Sequence, residues 1–485
     1  MACFFVFCYQ NTFQRRFLLS MAAELRYYTQ VLGGYKRRMG KTPAASKVLA
    51  PVITMAGSII SSPTIIPRSE HLVSRSAISK AALKVLYELK DGGYESYLVG
   101  GCVRDLMLGR EPKDFDVATN ASPEQVKELF GRGCRLIGRR FRLAHVRFGR
   151  EIIEVATFRA QHSGEEDGGV MEDGMILRDN VFGTLEDDAW RRDFTINALY
   201  YNIRDFSVID YVGGVEDLKR GLLHMIGDAA TRYREDPVRM LRAARFAAKL
   251  GLRIHPDSEQ PIFELAPLLQ DIPPSRLYEE VLKLFQGGCA VQSFEQLRHY
   301  GLFGAMFPFT EQCLSQQKDD YPLTLLIRAL ENTDARIQAD KPVTPAFLFA
   351  ALLWEPLRQL LEQLLAHGKT EVQAMQDAAR QVLSEQTRFV MLPKRFSLKT
   401  RDIWHMQPRL RRNNGSRALL LLENSSFRAA YDFLLLRAES GEDDLLELVE
   451  WWTRIQEVDA DERQAMCGSA QKNRRPRRRR KPKAE

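Results

Sequence analysis

The period of the apolar positions changes along the chain. From Ser76, residues Ile78, Ala82, Val85, Leu86 and Leu89 fall on one helical stripe, and Gly92-Gly93 supplies its stop. The run Tyr97 to Val99 then predicts a strand that ends at Gly100-Gly101; a short helix-like piece follows to Gly109, and a strand-like piece carries Asp114 and Asp116. Ser122 can cap a helix, with Pro123 at its first position and Gln125 reaching back, so a helix should run to about Phe130. Residues 143–148 and 152–158 read as two strands joined by a turn at Gly149, and residues 186–200 read as a helix. Pro237 suits a first helical position, which makes Asp236 an N-cap and Gly251 the end of that helix. Beyond residue 260 the pattern is nearly all helical, with Leu-rich segments near 275–286, 321–331, 345–366, 370–385, 416–437 and 443–457. Residues 50–70 read as linker, and 161–173, rich in Gly, Glu and Asp, as a mobile loop. The expected fold is therefore α+β: a small mixed sheet with helices, followed by an all-helical region.

Some of the polar positions carry chemistry. Residues two apart on a strand share a face, so Asp114 and Asp116 should project together while Phe115 turns to the core. Two like charges held that close need a cation, and Mg²⁺ is the economical one, since it takes carboxylate and phosphate oxygens. The Gly100-Gly101 turn offers backbone N–H groups that phosphates can approach without a Cβ in the way. A lone Asp-x-Asp is more often a solvated strand end. On the strand at 152–158, Ile152, Glu154 and Ala156 share a face, and Glu154 either faces the metals as a third carboxylate or faces water from an edge strand. Arg191, Arg192, Asp193 and Asn197 fall within two turns, and arginine can grip a triphosphate bidentately. Arg242 and Arg245 follow Arg239 at three-residue steps, a basic stripe beside Leu241 and Phe246.

Five blocks occur in a fixed order over about residues 75–255: Leu98-Val-Gly-Gly-Cys-Val-Arg-Asp105; Lys113-Asp-Phe-Asp-Val-Ala-Thr119; Gly138-Arg-Arg-Phe-Arg-Leu-Ala-His145 leading to Ile152-Ile-Glu-Val-Ala-Thr-Phe-Arg159; Arg191-Arg-Asp-Phe-Thr-Ile-Asn-Ala198; and Arg232-Tyr-Arg-Glu-Asp-Pro-Val-Arg-Met-Leu-Arg242. Together they resemble the class II nucleotidyltransferases, polymerase-beta-like enzymes that extend RNA 3′ ends without a template, and within them the bacterial poly(A)-adding branch. The resemblance implies a polymerase-beta-like head, then a helical neck, body and tail. It implies transfer of AMP from ATP to an RNA 3′-hydroxyl with release of pyrophosphate, two Mg²⁺ ions held by Asp114 and Asp116, and catalytic roles for Glu154 and Asp193. Asp193, beside two arginines, can equally be a residue that orients them. Gly100, Gly101, Arg104 and Asp105 would shape the triphosphate and ribose pocket, Arg191, Arg192 and Asn197 would meet the phosphates, and Asp236 and Arg239 the base, with Arg242 and Arg245 beside them. A CCA-adding tRNA nucleotidyltransferase shares the head motifs but needs CTP and ATP; the 138–145 block and the basic tail favour poly(A). An RNA-binding protein with a vestigial head is the rival of another class, and the retained repulsive pair Asp114/Asp116 speaks against it.

Composition sharpens this reading. At 485 residues with 45% apolar content, the chain should hold two to four units, at about 150 residues each. We expect a basic extension over 1–70, the head over 71–230, a neck over 231–300 that binds nucleotide and RNA, a helical RNA-binding region over 301–460 and a basic tail over 461–485. The net charge of +8 is uneven: residues 472–485 hold nine Lys/Arg against one Glu, and residues 1–70 nine against two acids, so the middle is mildly acidic. Arg474, Arg475, Arg477, Arg478, Arg479, Arg480 and Lys481 have nothing apolar beside them to bury, and are expected to stay disordered and to contact RNA backbone. The basic segments 393–401 and 408–412 are weaker candidates of the same kind. Seven scattered cysteines without a Cys-x-x-Cys pair suit a reducing, cytoplasmic setting, and no apolar run reaches the roughly 18 residues of a membrane span. The apolar opening makes a poor secretory signal, and a translation start at Met21, Met39 or Met55 would account for it. The expected partners are mRNA or small structured RNA 3′ ends and ATP; protein partners in RNA decay are left open.

Overall fold

The computed structural model describes residues 62–138, 142–160, 171–172, 175–176, 182–316 and 321–468. The basic extension, most of the expected mobile loop, Arg139 to Phe141 and the arginine-rich tail lie outside the described residues.

Eight short strands form one mixed sheet: β1 (Thr64–Ile66), β2 (Ser96–Val99), β3 (Asp116–Thr119), β4 (Cys134–Ile137), β5 (Leu143–Phe148), β6 (Glu151–Thr157), β7 (Leu199–Asn202) and β8 (Val208–Asp210). Their order is β1-β8-β7-β2-β3-β6-β5-β4, and only β3 and β6 run parallel. The stretch expected as linker thus ends in an edge strand, because the β-branched run Thr64-Ile65-Ile66 pairs with β8 and buries Ile66. One face of the sheet, with Leu98, Val117, Val155 and Tyr201, packs on α1 (Lys80–Asp91), α2 (Gly101–Met107) and α3 (Pro123–Phe130). The cap on α3 is as expected: Ser122 and Gln125 form a capping box and Pro123 opens the helix. The other face, with Val99, Ala118, Tyr200 and Ile209, is covered by α4 (Leu185–Trp190).

The helix expected over 186–200 is not there. It stops at Trp190, a single 3-10 turn spans Thr195–Asn197, and Leu199-Tyr-Tyr enters the middle of the sheet as β7, fully buried. Two interactions divert the chain. Asp193 takes its neighbour's N–H from Phe194 onto its own Oδ1, a local bond that competes with helix. The Thr195 carbonyl packs so closely on Gly214 that a Cβ there would lie 2.1 Å from it.

The chain continues through α5 (Gly214–Arg220), α6 (Ala229–Glu235), α7 (Val238–Leu250), α8 (Pro256–Leu265) and α9 (Pro274–Phe285). As expected, Gly251 ends α7, in the left-handed conformation. Beyond it, helices occupy 290–299, 302–306, 308–315, 321–338, 345–352, 354–366, 371–386, 394–410, 416–422, 427–439, 446–457 and 460–466. The segment expected as one helix over 345–366 is two: Pro356 lacks the N–H that would reach the Leu352 carbonyl, and the Thr310 hydroxyl donates to that carbonyl instead, at 2.8 Å. The segment 416–437 is likewise divided, at Asn424, whose Oδ1 accepts from Ser426 N. One apolar core runs from the sheet through Leu436, and a second, around Phe427 and Trp452, closes the C-terminal helices.

Candidate active site

The parallel pairing of β3 and β6 builds the acidic centre. Asp116 opens β3 directly opposite Glu154 on β6, so their side chains leave the same face. His145 on β5 stands opposite Glu154 in turn, its Nε2 3.2 Å from Glu154 Oε1. Asp114 precedes the strand instead of lying on it, a correction to the expected two-aspartate strand. Phe115 still turns into the core, and both aspartates remain exposed. Burial of its surroundings, then the Glu154 charge, push the Asp116 carboxyl up to about 6; Asp114 adds to this and Arg192 opposes it. Asp116 and Glu154 are thus like charges on one face, with Asp114 just before it.

Around it stands a network in which charges are matched. Gly100 turns β2 into α2 at φ 78°, a conformation that favours glycine, and Arg192 Nη1 lies 3.5 Å from where its Cβ would be. Arg192 donates to Asp188 Oδ2 from Nη2 at 2.8 Å and to the Tyr200 hydroxyl from Nε at 2.9 Å, and Tyr200 donates to the same Asp188 oxygen. Burial works against the guanidinium charge, but Tyr200 and Asp188 outweigh it and hold Arg192 firmly protonated. Buried Arg104 spans Asp105 Oδ1, at 2.7 and 2.9 Å, and Asn197 Oδ1, at 2.6 Å. Asn197 Nδ2 then donates to Asp193 Oδ1. Asp193 Oδ2 accepts two bonds from Arg242, through Nε at 2.8 Å and through Nη2. Burial disfavours the Asp193 charge, yet Arg242 overrides it and holds the carboxyl below its usual range. Asp193 is thus bonded to Arg242 and Asn197, not to the adjacent Arg191 and Arg192 that it was expected to orient, and it is not grouped with Asp116 and Glu154.

The base-side residues are also engaged. Against expectation, Pro237 and not Asp236 is the N-cap of α7, and Asp236 is the C-cap of α6; its Oδ1 accepts from Val238 N at 3.3 Å and its Oδ2 takes Arg276 Nη2 at 2.7 Å. Arg239 Nη1 donates to Glu235 Oε2 and to the Arg232 carbonyl. Arg232 in turn donates from Nη2 to the carbonyls of Arg191 and Arg192. The expected basic stripe is a stack: Arg104, Arg242 and Arg245 lie 5.5, 5.4 and 4.9 Å from the Phe246 ring centroid.

Asp188, Tyr200, His145, Arg232 and Arg276 were missed from the sequence. Asp188 stands four residues before Arg192, a helical pair that was open to reading; the others meet their partners only through the tertiary fold. A cavity of about 600 Å³ lies away from this site, lined in part by Trp354, Glu355, Arg358 and Arg437. Two of its arginines pair with glutamates, Arg358 with Glu355 and Arg437 with Glu442.

Comparison with known proteins agrees with the arrangement. Residues 96–224 match the family described as poly A polymerase head domain, 251–314 the one described as probable RNA and SrmB-binding site of polymerase A, and 367–485 the polymerase A arginine-rich C-terminus. Poly(A) polymerase I of Salmonella typhimurium is 50% identical over 442 residues, 90% of this chain and 95% of that protein. The CCA-adding enzyme of Lactobacillus helveticus is 39% identical over 214 residues, only 44% of this chain and 52% of that protein. The solved structure of the Thermotoga maritima CCA-adding enzyme with tRNA shares the fold at TM-score 0.55 and 21% identity, covering 81% of this chain and 86% of its own.

Proposed function

The chain belongs to the bacterial poly(A) polymerase family, and on that premise we propose that the face bearing Asp114, Asp116 and Glu154 is where AMP passes from ATP to an RNA 3′-hydroxyl. The carrying observation is the register of Asp116 with Glu154, which sets two carboxylates side by side and, with burial, raises the Asp116 carboxyl to about 6 although Arg192 opposes it. A hard-oxygen set of this kind fits Mg²⁺, and Asp114 and Asp116 are the residues that would hold two ions. When bound, such ions lower the charge barrier to attack on the α-phosphorus and steady the pyrophosphate that leaves. The 3′-hydroxyl loses its proton to solvent as its oxygen forms a bond to the α-phosphorus and the bond to pyrophosphate breaks in line.

The chain's own share is positioning. Glu154, with His145 Nε2 3.2 Å from its carboxylate, adds a third carboxylate to the face. Arg192, fixed by Asp188 and Tyr200 beside the Gly100 turn, directs positive charge at the triphosphate, with Arg191 next to it. Gly100 and Gly101 let phosphate approach the backbone, and the Arg104–Asp105–Asn197 cluster borders the ribose. Asp193 acts through Arg242, keeping the neck and the head in one alignment. Asp236 can accept the adenine N6–H and Arg239 can donate to N1, each held ready by Arg276 and Glu235. Arg245, over Phe246, borders that position. RNA backbone meets the helical region and the tail from Arg474 to Lys481.

Among the described residues no helix is long and apolar enough to cross a membrane. The free thiols of Cys102, Cys134, Cys289, Cys313 and Cys467 support a reducing, cytoplasmic setting. The deciding assay offers RNA and Mg²⁺ with each nucleotide separately. Long ladders with ATP alone and poor use of CTP are expected; two C residues and one A added to a tRNA lacking its end, followed by arrest, would move the chain to CCA addition.

A further inference from the structure

We propose that His224, His255 and Asp257 form a binding site for a borderline transition-metal ion of the Zn²⁺ class, at the seam between head and neck. Backbone pairing sets the site: Leu222–Leu223 runs parallel to Arg253–Ile254, and His224 and His255 are the next residues on each side. His255 N donates to the Leu223 carbonyl at 2.9 Å, which locks that register. The two imidazoles stack with centroids 4.0 Å apart and planes 18° from parallel. One ligand atom from each of His224, His255 and Asp257 lies within 4.8 Å of the others, and among the described residues no other group of three such side chains gathers this way.

The donor chemistry suits a metal. The Asp217 carboxylate stands 3.5 Å from His224 Nδ1 and is itself fixed by the Thr195 hydroxyl at 2.7 Å. A carboxylate there favours the Nδ1–H tautomer and leaves Nε2 basic, as carboxylate-backed histidine ligands require. His255 Nδ1 is 3.7 Å from Asp257 Oδ2, and tetrahedral ligand atoms at about 2.0–2.1 Å from an ion stand about 3.4 Å apart, so a small movement chelates. That movement gives up only a long cap, Asp257 N to His255 Nδ1 at 3.3 Å. Two neutral nitrogens and one carboxylate select Zn²⁺, Co²⁺ or Ni²⁺ over Mg²⁺, which prefers oxygen alone. Exposed Asp257 leaves an entry path and a fourth position for water. The site is separate from the acidic face but tied to it, because the His224 carbonyl accepts from Thr195 N and Asp193 O accepts from Ile226 N. A bound ion therefore pins α8 to the strand that supports the Asp193–Asn197 segment.

Co²⁺ is the probe. The full chain, freed of metal and held in excess Mg²⁺ to occupy oxygen-only sites, should bind one equivalent of Co²⁺ with the visible d–d absorption of a low-coordinate ion, and Zn²⁺ should displace it. Zn²⁺ should also raise the melting temperature of the parent chain. His224→Gln should abolish the absorption, and Asp257→Ala, at an exposed position that leaves folding intact, should weaken Co²⁺ binding about tenfold or more. Absence of the band from the parent chain, or a band and Zn²⁺-dependent melting shift that persist unchanged in Asp257→Ala, would overturn the proposal.

Discussion

Two sets of charged side chains lie within a few residues of each other in the head, and they are built on opposite terms. On the β3–β6 face, Asp116 stands opposite Glu154, with Asp114 just before the strand, and Asp116 is pushed up to about 6. At the junction with the neck, each acid has its cation: Asp193 has Arg242, Asp188 has Arg192, Asp105 has Arg104 and Asp236 has Arg276. The second set is finished by folding. The first would be stabilised further by an added cation, which is what the proposed ligand site requires, while the paired set is the frame beside it.

The largest effect should come from emptying the unfinished set. Asp116→Ala or Asp114→Ala should lower AMP transfer by about a thousandfold or more, since a direct metal ligand is removed. Melting temperature should stay or rise, because a repulsion is relieved. A fall in melting temperature as large as that in activity would erase the contrast between the two sets.

The paired set should respond in the other direction. Asp193→Asn leaves Arg242 without its counter-charge and should destabilise the fold by about 2–3 kcal/mol, measured by urea denaturation. Its pH dependence has a definite sign. The folded Asp193 carboxyl sits below its ordinary value of 3.8, so its contribution is fully present above that value and fades as pH falls through the lower folded value. The stability difference between parent and variant should be constant near neutrality and shrink below about pH 4.

How much of this was open to reading in the sequence follows from the range of the interactions. The α3 capping box and the Gly251 stop are local, and both were legible; the Asp114/Asp116 pair was legible as neighbours in sequence but not as a shared strand face, since only Asp116 lies on β3. Glu154 was legible as a face but not as a neighbour, because only the parallel register of β6 on β3 puts it beside Asp116. Residues 191–202 were misread for the converse reason. Their spacing allows a helix, but Tyr200 is drawn into the sheet, where it meets Asp188 and Arg192, and Asp193 is drawn to Arg242, 49 residues away. Of the paired set, Arg104–Asp105 and Asp188–Arg192 are local, while Asp193–Arg242 and Asp236–Arg276 are what the sequence concealed, because those partners lie far along the chain.

Glu154 gives a finer test of where the unfinished set ends. Glu154→Gln keeps volume and removes charge, so it should reduce transfer by about tenfold to a hundredfold without loss of stability. It should also bring Asp116 back toward the usual carboxylate range, since Glu154 is the leading charge raising it, and carboxyl titration followed by NMR would report that directly. Normal extension by this variant would make Glu154 an ordinary strand residue and leave the aspartate pair alone.

The smallest effect concerns a third kind of charge, cations for which the nearby sequence supplies almost no acid. Residues 472–485 carry nine Lys/Arg and one Glu, so what they can meet is phosphate, without regard to base identity. Removing the chain from Lys472 onward should weaken RNA binding at low salt and flatten the dependence of log affinity on log salt by about 0.7 for each phosphate that is no longer neutralised. Fewer additions should follow each encounter, because release is faster. The rate of a single AMP addition at saturating RNA should hold, since the acids on the β3–β6 face and the paired frame beside them are untouched. Single-addition rates and RNA affinities across a salt series, for both forms, separate the cases: an unchanged salt slope would make the tail idle, and a collapsed single-addition rate would place its cations with the machinery that positions the triphosphate.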